Sequence, residues 1–407
     1  MADFHQNGNI AQFHNLRARP VEELAYELEA FAQTRKITLI LPSLYSELEG
    51  EALPRILDEL AKVPYLHRIV IGLDQADEEQ YRHARAFFSR LPQSHVVLWN
   101  DSPRMRAIGV RLEALGLAPE EPGKGKNVWT AIGYLIACAD SAVMAIHDCD
   151  ILTYSSEMLT RLVYPVAHPG FSYQLSKGFY PRVGGGKLNG RVTRLLVSPL
   201  LIALKKVIGD RDYIDYLRAF RYPLSGEFAM RAGVLPDLRI PSDWGLEIGV
   251  LSEAWRNLGP QAVCQVEIAD SYDHKHQDMS PQDANAGLNR MSTDICKAIF
   301  RKLAADGTVF TNNTFRTLRA TYYRTALDLL EAYANDARMN GLTLDRHGEE
   351  QAIELFAENI VRAGRIFLEN PHETPFIPNW NRVNAADATI LPDLRVAAAK
   401  DDAEFAP

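Results

Sequence analysis

Only four cysteines occur in 407 residues, at positions 138, 149, 264 and 296. None forms a Cys-x-x-Cys pair, so neither a zinc ribbon nor a disulfide framework is indicated, and the chain suits a reducing cytoplasm. Long hydrophobic runs are also missing. The most apolar stretch, Leu195 to Leu204, is about half of the roughly 20 residues that a membrane span needs, and Pro199 interrupts it. The segment Met1 to Asn15 is polar and rich in His, Gln and Asn, without the apolar core of a signal peptide. No excess of positive charge exists. Lys and Arg total 44 against 52 Asp and Glu, a formal charge of −8, which gives no general attraction to nucleic acid or to an anionic membrane. Repeats at solenoid periods are absent. So are G-x-x-x-x-G-K-[ST] and a G-x-G-x-x-G after the first strand, which removes the Walker and dinucleotide sites. What remains is a globular composition, 47% hydrophobic and 24% charged, long enough for one large domain or two smaller ones.

The first half of the chain alternates strand and helix patterns. Residues 1–20 read as a poorly ordered arm. Val21 to Thr34 carries Leu24, Leu28 and Phe31 at helical spacing. Lys36 to Pro42, His67 to Leu73 and His95 to Trp99 are short apolar runs of the buried parallel-strand kind. Helical patterns over Ala52 to Val63 and Glu78 to Arg90 separate them. This β-α-β-α-β order predicts a parallel, doubly wound sheet, whose ligands bind at the carboxyl ends of its strands. That rule selects the loops that start at Pro42, Asp74 and Asn100, and the stretch His147-Asp148-Cys149-Asp150.

Thr130 to Met144 reads as a helix feeding the strand before Asp148, and Ser155 as the cap of the next helix. Two aspartates one residue apart on an extended segment share a side and repel. A divalent cation with the phosphates of a nucleotide would relieve that repulsion, whereas a solvated acidic turn is the plain alternative. Gly123-Lys124-Gly125-Lys126 precedes the helix. It is either a capping turn or a glycine-flanked lysine that approaches phosphate.

From Phe171 the character changes. Phe171 to Leu175 alternates like a half-buried strand. Lys177 to Arg194 then packs five glycines, three arginines and two lysines into eighteen residues. Such a run suits an anionic small molecule, or else is a solvated basic loop. Val197 to Ile208 reads as an apolar helix, Tyr222 to Ala229 as a tight turn into a helix capped by Ser225, and Asp243 to Val250 as another helix opening. Glu247 falls in its first turns, as a dipole-favoured charge or a working carboxylate. Cys264 to Ile268 reads as an edge strand leading to His274 and His276, one of which can reach a metal. Ile295 to Leu303, Phe315 to Ala334 and Glu349 to Phe367 are predicted helices. Tyr322, Tyr323, Leu327, Leu329 and Leu330 form a stripe for core packing or a dimer interface. The tail from Pro371 is expected to be extended.

In order, Leu41-Pro42-Ser43-Leu44, Pro122-Gly123-Lys124-Gly125, Asp148-Cys149-Asp150, Gly190-Arg191-Val192-Thr193, Pro223-Leu224-Ser225-Gly226-Glu227, Gly245-Leu246-Glu247-Ile248-Gly249 and Gln265-Val266-Glu267 before His274 resemble a known family. It is the retaining GT-A glycosyltransferases that include glucosyl-3-phosphoglycerate synthase and bacterial mannosyl-3-phosphoglycerate synthase. The likeness spans roughly residues 36–280 and implies a GT-A fold, Rossmann-like and α/β, with a mostly parallel sheet flanked by helices and a helical C-terminal region. The chain is expected to divide into an arm and helix over 1–34, a nucleotide-sugar half over 35–165, an acceptor half over 166–280 and helices with a tail over 281–407.

The resemblance also implies roles. Pro42, Ser43, Leu44, Glu47, Asp74, Lys124 and Asp148 would bind the donor. Asp150 and His274 would hold Mg²⁺ or Mn²⁺. Gly190, Arg191, Thr193 and His276 would bind the acceptor, and Glu247 and Asp148 would serve catalysis. The expected reaction moves glucose from a nucleoside-diphosphate glucose to 3-phosphoglycerate, toward the compatible solute glucosylglycerate, in a cytoplasmic homodimer. A mannosyl transfer, another small anionic acceptor, a sugar nucleotidyltransferase and a non-catalytic nucleotide-sugar-binding protein are the alternatives. The chain departs from the family at Tyr45-Ser46-Glu47, where Asn-Glu-Glu is usual, which leaves Ser46 or Glu47 for the donor contact. It departs also at His276 for asparagine, and at the insertion-like Lys187-Leu188-Asn189.

Overall fold

The apolar runs assemble into one eight-stranded sheet in the computed structural model, which describes residues 6, 8–119, 121–274, 279–280, 282–283, 285–371 and 377–405. The first half runs β1 (Ala11–Phe13), α1 (Val21–Ala32), β2 (Ile37–Leu44), α2 (Ala52–Leu60), β3 (Leu66–Asp74), α3 (Glu78–Phe88), β4 (His95–Trp99), α4 (Pro103–Ala114), α5 (Lys124–Cys138), β5 (Val143–Ile146) and α6 (Ser156–Ala167). The middle adds β6 (Leu175–Phe179), a hairpin of β7 (Val183–Gly184) and β8 (Lys187–Leu188), α7 (Ser198–Ile208), α8 (Asp212–Ala219), β9 (Phe228–Arg231), α9 (Leu246–Asn257) and β10 (Val263–Glu267). Helices close the chain: α10 (Gly287–Ala305), α11 (Asn312–Met339), α12 (Arg346–Glu369), α13 (Trp380–Ala386) and α14 (Ile390–Glu404).

The strand order is β1-β10-β6-β9-β5-β2-β3-β4. Neighbours are parallel, except that β9 runs antiparallel between β5 and β6. Alternation along each strand feeds two cores. Ile40, Val70, Met144 and Ile146 face one, and Leu39, Leu41, Ile69, Ile71, Val143 and Ala145 face the other. Both faces are therefore covered, which is why these strands read as unbroken apolar runs. No helix among the described residues is long and apolar enough to cross a membrane, and all four cysteines are free.

Six expectations need correction. Residues 11–13 of the expected arm form β1, which pairs with Cys264, Gln265 and Val266. As a result β10 is an interior strand, and β1 takes the edge. Phe228 to Arg231 is a strand rather than the start of a helix. A short apolar run fits either state, and the slot between β5 and β6 decides it. Ser225 caps no helix; its hydroxyl donates to the Glu227 carboxylate at 3.0 Å. The strand expected from Phe171 begins only at Leu175. Finally, the tail is not extended, because α13 and α14 fold back onto the first half. Trp380 stacks on Trp129 with ring centroids 4.0 Å apart, and Arg111 pairs with Asp387 and Asp393.

Candidate active site

A cleft of about 1220 Å³ opens where β2 and β5 lie side by side and their connections leave in opposite directions. It is the switch point at which α/β sheets bind ligands. β2 delivers Pro42, Ser43 and Leu44, and the turn Tyr45–Glu49 adds Glu47. Asp74 ends β3, where Asn100 Nδ2 donates to its Oδ1 at 2.7 Å, and burial pushes its carboxyl above the ordinary value. A side chain at Gly72 would overlap Asn127. Asn127 Nδ2 instead donates to the Gly72 carbonyl at 2.8 Å and ties α5 to β3.

Lys124 is the first residue of α5, and Gly123 before it has φ 150°. Its ammonium lies 2.7 Å from Asp148 Oδ1 and 3.3 Å from Glu247 Oε1. Asp148 sits just past the end of β5, and Glu247 in the first turn of α9. A Cβ at Gly226 would come within 2.5 Å of Asp148 Oδ2 and 3.0 Å of Lys124 Nζ, so glycine lets that backbone close over the pair. Burial disfavours both charges, but each outweighs it for the other. Lys124 is held well above the ordinary lysine range and Asp148 below the ordinary carboxylate range.

Beneath them lies a second layer. Lys177 is fully buried and donates to the Ser225 carbonyl. Burial pulls its ammonium down to about 8, against the upward pull of Glu247 and Glu227. The buried Glu227 carboxylate accepts from Tyr180 Oη at 2.6 Å and Tyr272 Oη at 2.7 Å.

Asp150 and His274 are brought together by backbone pairing across the cleft rim. Ile151 bridges His274, and the Leu152 amide donates to the Asp273 carbonyl at 2.9 Å. Asp150 Oδ2 and His274 Nδ1 end 3.5 Å apart, both side chains about a quarter exposed, at 26% and 27%. Asp148 thus lies against the ammonium of Lys124 and Asp150 against the imidazole of His274. A carboxylate oxygen and an imidazole nitrogen side by side in a cleft suit Mg²⁺ or Mn²⁺, with the other coordination positions left to phosphate oxygens and water. Among the described residues no group of three such ligands gathers. His276 lies outside the described residues.

The basic run folds into the β7–β8 hairpin, with Gly185 at φ 56° and Gly186 at φ 70°, the pair of positive angles that a type I′ turn needs. The α11–α12 loop holds it, with the Thr343 amide donating to the Gly186 carbonyl at 2.9 Å. Gly190, at φ 74°, and Arg191 line the cleft. Arg191 Nε donates to Glu349 Oε1 at 2.9 Å, and Arg194 Nη2 lies 2.8 Å from Glu349 Oε2. Thr193 does not line the cleft. It sits in the π-helical turn Val192–Val197 that opens α7, with its hydroxyl buried. Sequence reasoning gave no individual role to Glu227, Glu349 or Arg182, although Glu227 closes the Pro223-Leu224-Ser225-Gly226-Glu227 match and Arg182 lies in the basic run. Glu349 carries no local signal, since its partners lie far along the chain.

No family model matches the chain. It is 44% identical over 404 residues to glucosyl-3-phosphoglycerate synthase of Persephonella marina, covering 99% of this chain and 100% of that one. It is 36% identical over 379 residues to glucosyl-3-phosphoglycerate synthase of Methanococcoides burtonii, covering 92% and 91%. Among solved structures it resembles glucosyl-3-phosphoglycerate synthase from Mycobacterium tuberculosis in complex with Mn²⁺, UDP-glucose and phosphoglyceric acid. The TM-score is 0.53 at 23% identity, over 72% of this chain and 88% of that chain. The same enzyme with Mg²⁺ and UDP gives a TM-score of 0.52 at 22% identity, over 72% and 87%. At such identities the structural likeness speaks for the GT-A fold alone.

Proposed function

The chain belongs to the glucosyl-3-phosphoglycerate synthases, and from that premise we propose that it transfers glucose from UDP-glucose to the 2-hydroxyl of 3-phosphoglycerate with retention of the anomeric configuration. The observation that carries the reading is the Ile151–His274 bridge, which sets the Asp150 carboxylate and the His274 imidazole in the same cleft as the Lys124–Asp148–Glu247 cluster. Retention is taken from the family.

Residues 35–165 form the donor half on this reading. Pro42, Ser43, Leu44, Glu47 and Asp74 line the side where β2 and β3 end, and so take the nucleoside. Asp150 and His274 would hold Mg²⁺ or Mn²⁺, whose charge offsets that of the diphosphate as it leaves. The ammonium of Lys124 adds a fixed positive charge on the sugar side, and Asp148 and Glu247 accept hydrogen bonds from the glucose hydroxyls. The bond from the anomeric carbon to the diphosphate oxygen breaks, a bond to the acceptor oxygen forms, and the hydroxyl proton passes to the departing phosphate oxygen. Residues 166–280 supply the acceptor side, with Gly190 and Arg191 near the anionic groups and Thr193 supporting them from behind the wall. Positioning of this kind contributes several kcal/mol of the barrier. The homodimer rests on the helical C-terminal region alone, and light scattering tests it. The cytoplasm rests on the cysteine usage.

UDP release is the deciding measurement, with UDP-glucose, GDP-glucose and GDP-mannose as donors, each with and without 3-phosphoglycerate and Mg²⁺. Release that needs both acceptor and metal, and prefers UDP-glucose, is the expected result. Pyrophosphate in place of UDP would make the protein a nucleotidyltransferase, and donor binding without any release would make it a binding protein.

A further inference from the structure

Three arginines stand at the glycine-hairpin end of the cleft, and two already have a counter-charge. Arg191 and Arg194 share the carboxylate of Glu349. Arg182 does not: among the described residues no carboxylate comes within ion-pair distance of it. It lines the cleft and is only 8% exposed. Its Nη1 donates to the Tyr222 phenol at 3.2 Å, and its Nε is buried without a hydrogen-bond partner among the described residues.

The surroundings hold this guanidinium in place without neutralising it. Its carbon lies 5.3 Å from the centroid of the Tyr272 ring. Tyr272 stacks on Tyr180 with centroids 3.7 Å apart, and both phenols donate to Glu227. Donation to a carboxylate enriches the rings in electrons and strengthens their hold on a cation above them. The stem of Arg182 packs against Gly190, where a Cβ would come within 3.1 Å, and its carbonyl accepts from the Asn189 amide at 2.7 Å. The guanidinium is therefore fixed at the foot of the Gly190-Arg191 loop. A buried charge left without an anion is costly, and an anionic group arriving through the cleft removes that cost.

We infer that Arg182 binds the acceptor, its guanidinium donating to an anionic oxygen of the acceptor's carboxylate or phosphate. This rests on the acceptor reading above and extends it to a residue outside the Gly-Arg-Val-Thr loop. Glu349 leaves Arg191 and Arg194 partly neutralised, so Arg182 is the cation there with most to gain from an incoming anion.

The test is titration of 3-phosphoglycerate into the protein preloaded with Mg²⁺ and UDP, for wild type, Arg182→Gln and Arg182→Lys, beside initial rates. The glutamine variant should weaken acceptor binding and raise the acceptor KM by roughly 10- to 100-fold, the lysine variant by less, with UDP-glucose affinity unchanged. Unaltered acceptor affinity in Arg182→Gln, with donor binding intact, overturns the inference. If the glutamine variant no longer binds UDP-glucose, Arg182→Lys is read by the same rule. Inorganic phosphate as a competitor separates the two anionic groups. Phosphate inhibition lost with the substitution assigns Arg182 to the phosphate, and inhibition retained while acceptor affinity falls assigns it to the carboxylate. A wild-type protein that binds no 3-phosphoglycerate overturns the acceptor reading instead. Phosphate titrated against wild type and variant then decides the residue, equal affinities counting against it.

Discussion

His147, between β5 and Asp148, is fully buried, and neither ring nitrogen has a hydrogen-bond partner among the described residues. Its ring meets Tyr154 edge-on, with centroids 5.4 Å apart. Burial pulls its pKa down to about 4, against the opposing pull of Glu227 and Asp148. In the unfolded chain the ring takes a proton near pH 6.5, whereas in the native protein it stays neutral until about pH 4. Between those values the unfolded state binds more protons, so stability is lost as the pH falls and is fully present only above about 6.5. The contribution of this one ring is about 3 kcal/mol. Urea unfolding at pH 7 and pH 4.5 should show a smaller acid loss in His147→Phe than in wild type. Equal losses in the two proteins would remove His147 from the account. At pH 7 the phenylalanine variant should be near neutral, because no hydrogen bond is broken there.

At the scale of elements, the first turn of α12 decides how the β7–β8 hairpin and the head of α7 sit. Glu349 is the contact, buried between Arg191 and Arg194. Replacing it by glutamine keeps the shape and removes the charge, which leaves two guanidinium groups short of a partner. Arg191 is about a third exposed, at 31%, so solvent screens part of that loss. The expected cost is about 2 kcal/mol, below the full value for a broken buried pair. The acceptor KM should rise with it while the donor KM holds. An unchanged acceptor KM would show that the hairpin keeps its shape without α12. The same contact shows where the sequence stopped being informative. β2, β3 and β5 were legible because a strand covered on both faces is an apolar run. Asp148 and Asp150 were legible as carboxylates at the end of such a run, Lys124 and Glu247 as charges at helix entries, and His274 as an imidazole following a strand pattern. β9 was not legible, since Phe228-Ala229-Met230 suits either state until its two neighbours are present. Nor was β1, whose three residues make a strand only because β10 offers an edge. Glu227 and Glu349 take their meaning from partners distant in sequence, Tyr180 and Tyr272 for one and the two arginines for the other.

On the scale of the whole molecule, the end of the chain closes over its beginning. Trp380 on α13 fills the space that Gly133 leaves on α5, where a side chain would overlap the indole. The two tryptophans are also bonded reciprocally to the main chain. Trp380 Nε1 donates to the Trp129 carbonyl at 3.0 Å, and Trp129 Nε1 to the Pro378 carbonyl at 2.8 Å. Arg104 and Arg111 of α4 add ion pairs to Asp401, Asp387 and Asp393. These are largely surface pairs and contribute little singly, so the buried indole dominates the clasp. This is why an Ala- and Asp-rich tail, with little apolar patterning of its own, is helical here. α5 carries Lys124 at its first residue, so its packing bears on the charged cluster as well as on stability. Trp380→Ala should cost about 3–5 kcal/mol, as for other buried aromatic truncations, measured by chemical denaturation. Its kcat should fall with the donor KM little changed, because α5 carries Lys124 of the charged cluster, whereas Pro42, Ser43 and Leu44 belong to β2. A loss below about 1 kcal/mol would mean that the cavity collapses or that the clasp is held by the ion pairs. Arg111→Ala in the same background would then tell the two apart, since only ion-pair control predicts a further large drop.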